Sequence, residues 1–352
     1  MRGRGERLEA LLAERELDRL LVTDLTNVRY LTGFTGTNGA CVCGPGLRVF
    51  LTDFRYTERA AAEVEGWEAV TVSSDWLKGI AEHLTGRVGF EDDKMPVRSL
   101  GKLKEKLGEG AEAVPAGGLV ERLRRVKDEG ELELIEEASK LADSVWEWAI
   151  ARGLAGRSER EVARAAEARI RELGGDPSFP AIVAAGPNGA LPHAEPGERE
   201  IGRGELVVFD MGAMLDGYCS DGTRTYATGE PGERAREVYE VVREAQAAAL
   251  AAIEAGVGGE AVDDVAREVI AAGGHGDRFG HGLGHGVGLE VHEAPRLSQR
   301  SEDTLAAGEV VTVEPGVYLP GELGVRIEDL VVVAESGLRN LSGLPKELQL
   351  VD

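Results

Sequence analysis

Residues 205–226, ELVVFDMGAMLDGYCSDGTRTY, carry two carboxylates at a spacing that can do chemistry. An apolar run from Leu206 to Phe209 ends in Asp210, a turn signal follows at Asp216-Gly217, and a second run from Tyr218 to Tyr226 contains Asp221. This pattern predicts a β-hairpin. With Asp216 and Gly217 as the two loop residues, Asp210 lies opposite Thr223, and Asp221 becomes its diagonal neighbour on the same face. Carboxylates set side by side behind buried apolar residues repel one another unless a proton or a cation compensates them. The hairpin is therefore a candidate cation site, although in a lone hairpin one aspartate can serve the turn and the other face solvent.

The pattern recurs about a hundred residues later. GELVVFDMG at 204–212 is echoed by GEVVTVEPG at 308–316, with Glu314 standing where the first copy has Asp210. GVRIED follows at 324–329, with Glu328 in the place of Asp221. Upstream of each strand sits a histidine in similar company, His193 in PHAEP and His292 in VHEAP, and upstream again lie two similar helical stretches, 158–173 and 260–272. A duplicated unit of helix, loop and hairpin predicts two halves about a pseudo-twofold axis, with Asp210, Asp221, Glu314 and Glu328 meeting between them.

Half of the six histidines fall within residues 279–293, FGHGLGHGVGLEVHE, among glycines that let the backbone approach a site closely. Four carboxylates and one neutral imidazole balance two divalent cations. Oxygen-rich ligation with one nitrogen suits Mn²⁺, with Co²⁺ or Zn²⁺ as substitutes. Two such ions lower the pKa of bound water enough for attack on an amide carbonyl at neutral pH, so the reaction class is metal-assisted hydrolysis. His193, His281 and His292 remain to bind substrate, stabilise the tetrahedral oxyanion or move protons.

The elements that must position these groups are legible in outline. A chain of 352 residues predicts two domains. Residues 1–115 read as a small α/β domain. It has a helix over 7–20 with Leu8, Leu11 and Leu12 on one stripe, strands at 20–22, 47–51 and 87–90, and helices over 56–65 and 76–84. GFTG at 33–36 opens no helix, which excludes a phosphate loop there. The break VPAGG at 114–118 starts the second domain, 116–352. Its first helix spans 128–151 with Leu132, Ile135, Leu141, Val145 and Trp148 toward the core, and Trp146 as a further packing residue. Ser158 with Glu161 makes a capping box for the next helix. Residues 179–193, with three prolines, read as an active-site loop, and 233–254 as an alanine-rich helix.

The formal charge of −23 argues against nucleic acid and anionic membranes as partners. Cys41, Cys43 and Cys219 form no disulfide framework and read as small core residues in a reducing compartment. The charged N-terminus lacks a signal-peptide core, and no apolar run approaches the length of a membrane span, so a cytoplasmic location is expected.

Taken together, FDMG with SDGTRTY, GHGLGHGVGLEVHE, VEPGVY and GVRIED resemble the metallopeptidases of the pita-bread fold (family M24), the group of methionine aminopeptidase, aminopeptidase P and prolidase. The resemblance runs from about Leu119 to the C-terminus. It implies a fold of α+β type, a catalytic pita-bread domain behind a small creatinase-N-like α/β domain. By position it implies that Asp210 chelates one metal, that His285 and Glu314 bind the other, and that Asp221 and Glu328 bridge the two. Glu314 would also act as general base, His193 and His292 as substrate-binding and proton-relay residues, and His281 as the residue beside the leaving side. Tyr318 and Arg326 would steady the ligands.

NVRYLTGF at 27–34 is similar to the opening domain of the proline-specific members. The implied activity is cleavage of Xaa-Pro bonds by a homodimer whose N-terminal domain closes over the partner's site. Arg296 sits where similar prolidases place an arginine for the substrate's free carboxylate. A surface arginine is the plain alternative for that residue. The short chain also resembles the compact prokaryotic prolidases, which favours an Xaa-Pro dipeptidase. The alternatives are an aminopeptidase P acting on longer peptides and a peptide-binding module without turnover, for which three further histidines would have no use.

Overall fold

The computed structural model describes residues 3–351 and divides after Arg124 into two compact units. The first is an α/β unit built on a six-stranded mixed sheet, in the order Glu68–Thr71, Leu47–Thr52, Ala40–Gly44, Arg19–Val22, Arg87–Phe90 and Glu112–Pro115. Cys41 and Cys43 lie fully buried in a central strand. The helix Leu119–Arg124 belongs to this unit, not to the next. Buried polar groups bind it back: Tyr30 Oη donates to the Leu123 carbonyl at 3.1 Å, and Arg124 Nη1 donates to Asn27 Oδ1 at 2.8 Å. The boundary expected at 115/116 therefore falls later, at 124/125.

In the second unit Asp128 and Ser158 each cap a helix, Glu129–Ile150 and Glu159–Glu172, and both form reciprocal capping boxes, with Glu131 and Glu161. The first helix buries Ile135, Val145 and Trp146, with the Trp146 ring edge-on to Phe209 at 6.1 Å. Leu132, Leu141 and Trp148, also expected in the core, are only half-buried and pack against its margin, Trp148 under the guanidinium of Arg152, 4.0 Å from its ring. Together these helices cover a three-stranded antiparallel sheet in the order Thr223–Ala227, Leu206–Asp210 and Ile182–Ala185. Residues 179–193 are thus not all loop. Their prolines, Pro180, Pro187 and Pro192, flank a buried strand and do not interrupt it.

The second half repeats the plan. Helices Glu233–Ala251 and Gly259–Ala272 pack on each other and on a five-stranded sheet. Its order is Glu293–Leu297, Gly284–Gly286, Val310–Val313, Asp329–Val333 and Leu338–Asn340. Each half has its own apolar core, one around Val145, Ile170, Val207 and Phe209, the other around Val242, Ile270, Val311 and Val331. Residues 344–351 return to the first half. Arg224 donates to the Leu344 and Pro345 carbonyls at 2.9 and 3.1 Å, and Ala227 exchanges backbone hydrogen bonds with Gln349 and Val351 at 3.0 and 2.8 Å.

Candidate active site

The first hairpin has the register read from the sequence: Asp210 pairs with Thr223, and Leu215 pairs with Tyr218. The turn residues Asp216 and Gly217 have φ of 43° and 76°, the two positive values that a type I′ loop needs to match strand twist. The second hairpin pairs Gly316 with Arg326 and Val313 with Asp329, a register that sets Glu314 across from Glu328. Glu328 thus takes the hairpin position of Thr223, to which its backbone is bridged, and Asp221 sits two residues earlier. The duplication holds for Asp210 and Glu314 but is offset for the other carboxylate pair, because the second hairpin puts its carboxylate at the paired position itself.

All four carboxylates nevertheless converge with one imidazole. Asp221, His285 and Glu328 each present a ligand atom within 4.8 Å of the others, and His285 Nε2 lies 3.6 Å from Asp221 Oδ2 and 3.4 Å from Glu314 Oε1. Burial and the mutual repulsion of the carboxylates push the pKa of Asp221 and Glu328 well above the usual range. Burial raises Asp210 too, against the opposing pull of Arg326, and pushes Glu314 up to about 7. Burial also lowers His285 to about 3, so this ring is neutral.

The donor set suits a divalent cation. His285 Nδ1 lies 3.1 Å from the Gly286 carbonyl and donates to it, which leaves the Nε2 lone pair facing the oxygens of Asp221 and Glu314. Asp210 Oδ1 is likewise buried without a hydrogen-bond partner among the described residues. Acceptors crowded on acceptors call for a positive centre between them.

These groups line a cavity of about 490 Å³, inside the ~300–1,000 Å³ common for small-ligand sites. His193, His281, His292 and Arg296 line the same cavity, so every sequence-predicted site residue except Tyr318 borders it directly. Tyr318 stands behind, its hydroxyl 2.8 Å from His281 Nε2. Arg326 joins the set: it donates to Tyr318 Oη at 2.9 Å, to Asp210 Oδ2 at 2.5 Å and to Thr223 Oγ1 at 3.0 Å. Because Arg326 donates to the tyrosine oxygen, the hydroxyl proton is directed at His281 Nε2. His281 Nδ1, 2.8 Å from the Gly282 carbonyl, then carries the ring proton. Burial holds this histidine at about 4, and burial with the charge of Arg296 lowers His292.

Two threonines contribute without having been singled out in the sequence. Thr223 Oγ1 donates to Glu328 Oε2 at 2.8 Å, and Thr312 Oγ1 donates to Glu314 Oε1 at 3.3 Å while accepting the His285 amide at 3.1 Å. Thr223 could have been found from the hairpin register, which sets it opposite Asp210; no signal marked Thr312 beyond its place two residues before Glu314.

Residues 133–335 match the model of metallopeptidase family M24, and residues 4–126 match the creatinase/prolidase N-terminal domain. The chain is 37% identical to the Xaa-Pro dipeptidase of Pyrococcus furiosus over 99% of its length and 100% of the relative's. Among solved structures it is similar to the Xaa-Pro dipeptidase from Bacillus anthracis, with TM-score 0.96, 40% identity and 99% of each chain covered. It is also similar to the X-Pro aminopeptidase from Thermotoga maritima, with TM-score 0.90, 35% identity, and 96% of this chain and 99% of that one covered. With both of its units matched and the carboxylate–histidine cluster lying inside the peptidase match, the chain belongs to metallopeptidase family M24 and carries a creatinase/prolidase N-terminal domain.

Proposed function

We propose that this protein is an Xaa-Pro dipeptidase that uses two divalent ions, Mn²⁺ first among them, to hydrolyse the bond before a C-terminal proline. The observation that carries the reading is the convergence of five metal-type donors, three further histidines and Arg296 on one cavity. Asp210, Asp221, His285, Glu314 and Glu328 would hold the ions, which when bound supply Lewis acidity and an activated water. Glu314 would take and return the proton of the attacking water, its carboxylate lying on the same cavity wall as the other donors. His193 and His292, on the cavity wall, bind the substrate carbonyl and move the proton that the departing proline nitrogen requires. His281, with both ring nitrogens engaged, shapes the wall beside the leaving proline and does not exchange protons. Arg296 pairs with the free carboxylate of the dipeptide.

Buried as thiols, Cys41, Cys43 and Cys219 support a reducing, cytoplasmic setting, and the family resemblance supports a homodimer. No described helix is long and apolar enough to cross a membrane. The neighbour named as an aminopeptidase keeps a second reading open, cleavage of longer peptides. The test is turnover of Ala-Pro beside Ala-Pro-Ala with Mn²⁺ supplied, with Asp221→Asn as the inactive control and Arg296→Ala as the specificity probe. Cleavage of the dipeptide, with Arg296→Ala raising KM about tenfold or more, supports the dipeptidase. Preference for the tripeptide with Arg296→Ala silent overturns it in favour of the aminopeptidase.

A further inference from the structure

Two buried carboxylates outside the metal cluster, one in each half, fasten the loops that carry His193 and His281. Glu159 has no exposed surface. Its Oε1 accepts from the Ala185 amide at 2.9 Å and from Asn188 Nδ2 at 3.0 Å, and its Oε2 accepts from the Gly197 amide at 3.2 Å. The carboxylate thus clamps both ends of the segment that presents His193. In the second half Asp263 is equally buried. Its Oδ1 accepts from the Leu283 amide at 2.8 Å, and it holds Arg267 through a 2.5 Å bond to Nε. Arg267 Nη1 donates to the Phe279 carbonyl at 2.8 Å and Nη2 donates to the carbonyl of His281 itself. This pair clamps the segment that presents His281.

The two devices are related by the internal duplication but not by identical positions. The repeat aligns Val162, Ala166 and Ile170 with Val262, Ala266 and Ile270, all fully buried, so Glu159 corresponds to Gly259 and Asp263 to Ala163. A side chain at 259 has no room, because a Cβ there would lie 2.3 Å from the Arg296 carbonyl oxygen. The second half therefore carries its carboxylate one helical turn further along the same helix face. A group that moves to the next available position on one face and again binds the backbone of a histidine loop is doing the same task twice.

We infer that Glu159 and the Asp263–Arg267 pair are positioning residues for catalysis, each acting through the histidine on the loop it clamps. The inference rests on the functional reading above, since the two histidines matter only if they meet substrate. A buried carboxylate that accepts from two backbone amides and an amide side chain fixes a loop far more firmly than turn geometry alone. A displacement of about 1 Å in a catalytic group costs on the order of a hundredfold in rate.

The experiment is a set of double-mutant cycles on the Mn²⁺-loaded, full-length enzyme with Ala-Pro, alongside Mn²⁺ binding by calorimetry. Glu159→Gln leaves one acceptor oxygen and sets a donor against the loop. Arg267→Lys keeps the charge beside Asp263 but cannot span two carbonyls. Each is expected to lower kcat/KM about tenfold to a hundredfold with Mn²⁺ affinity unchanged, Arg267→Lys chiefly through KM. Glu159→Gln should add nothing in a His193→Ala background, and Arg267→Lys nothing in a His281→Ala background, whereas the crossed pairs should be additive. Additivity within a loop's own pair, or a parallel loss of Mn²⁺ affinity, overturns the inference. Full turnover by both His193→Ala and His281→Ala would instead overturn the functional reading itself. Should Glu159→Gln fail to fold, Asn188→Ala removes one donor of the clamp, leaves its backbone bonds, and enters the same cycle with His193→Ala.

Discussion

Stripped of metal, the protein should lose stability as pH rises above about 6.5. Burial and mutual repulsion hold Asp221 and Glu328 protonated well above the usual carboxylate range, and Glu314 to about 7. In the unfolded chain these groups ionise near pH 4, so above that point the native state binds more protons than the unfolded state and stability falls with rising pH. The buried histidines work the other way. His285, lowered to about 3, and His281, lowered to about 4, stay neutral when folded but are protonated in the unfolded chain below about pH 6.5. The stability they contribute grows up to that pH and is then complete, so the two sets offset each other below it and the carboxylates alone govern the slope above it.

Each proton retained costs about 1.4 kcal/mol per pH unit. Glu314, released near pH 7, accounts for about 1 kcal/mol or less of the loss above about pH 6.5, and Asp221 and Glu328 each add to it in the same direction for as long as they keep their protons. Glu314, whose side chain keeps 18% of its surface exposed, has finished its share near pH 7. Urea unfolding of the chelator-treated protein, followed by circular dichroism across this range, measures the slope. Calorimetric Mn²⁺ titrations in two buffers of different ionisation enthalpy count the protons displaced on binding. A midpoint that is flat or rises above pH 6.5, together with metal binding that releases no proton, would refute the reasoning.

Two further outcomes follow from single side chains. Thr223→Val removes the hydroxyl that bridges Glu328 and Arg326, and it should weaken Mn²⁺ binding about tenfold to a hundredfold, whereas Thr223→Ser should retain most of it; calorimetry distinguishes them. Trp146→Ala empties the space between the first helix of the second unit and Phe209, and a drop of about 3–5 kcal/mol in unfolding free energy is expected from the urea midpoint.

What the sequence made legible was the chemistry-bearing register. Asp216-Gly217 is a turn that only one hairpin register satisfies, so Thr223 falls opposite Asp210 without further information. The capping boxes at Asp128 and Ser158 start their helices for an equally local reason. What stayed hidden depended on partners distant in the chain. Ile182–Ala185 becomes a strand because Leu206–Asp210 lies beside it, and prolines nearby masked it. The helix Leu119–Arg124 sides with the first unit through Asn27 and Tyr30, about a hundred residues earlier. Glu159 reads in the sequence as one acid among many in a helix's first turn, and only the fold turns it inward to two backbone amides. The choice between Trp146 and Trp148 for the core, two residues apart, lay below what a helical stripe resolves.

The return of residues 344–351 to the first half has a consequence for biosynthesis. Arg224 finds its carbonyl partner at Leu344 120 positions downstream, and the free edge of the strand Thr223–Ala227 is covered at its Thr223 end by Glu328 and at its Ala227 end only when Gln349 and Val351 arrive. A ribosome that has finished the first hairpin must therefore translate the entire second half before that edge is sealed. Until then the nascent chain displays a strand paired along one edge only, an invitation to holding chaperones and to mispairing with neighbouring chains on the same message.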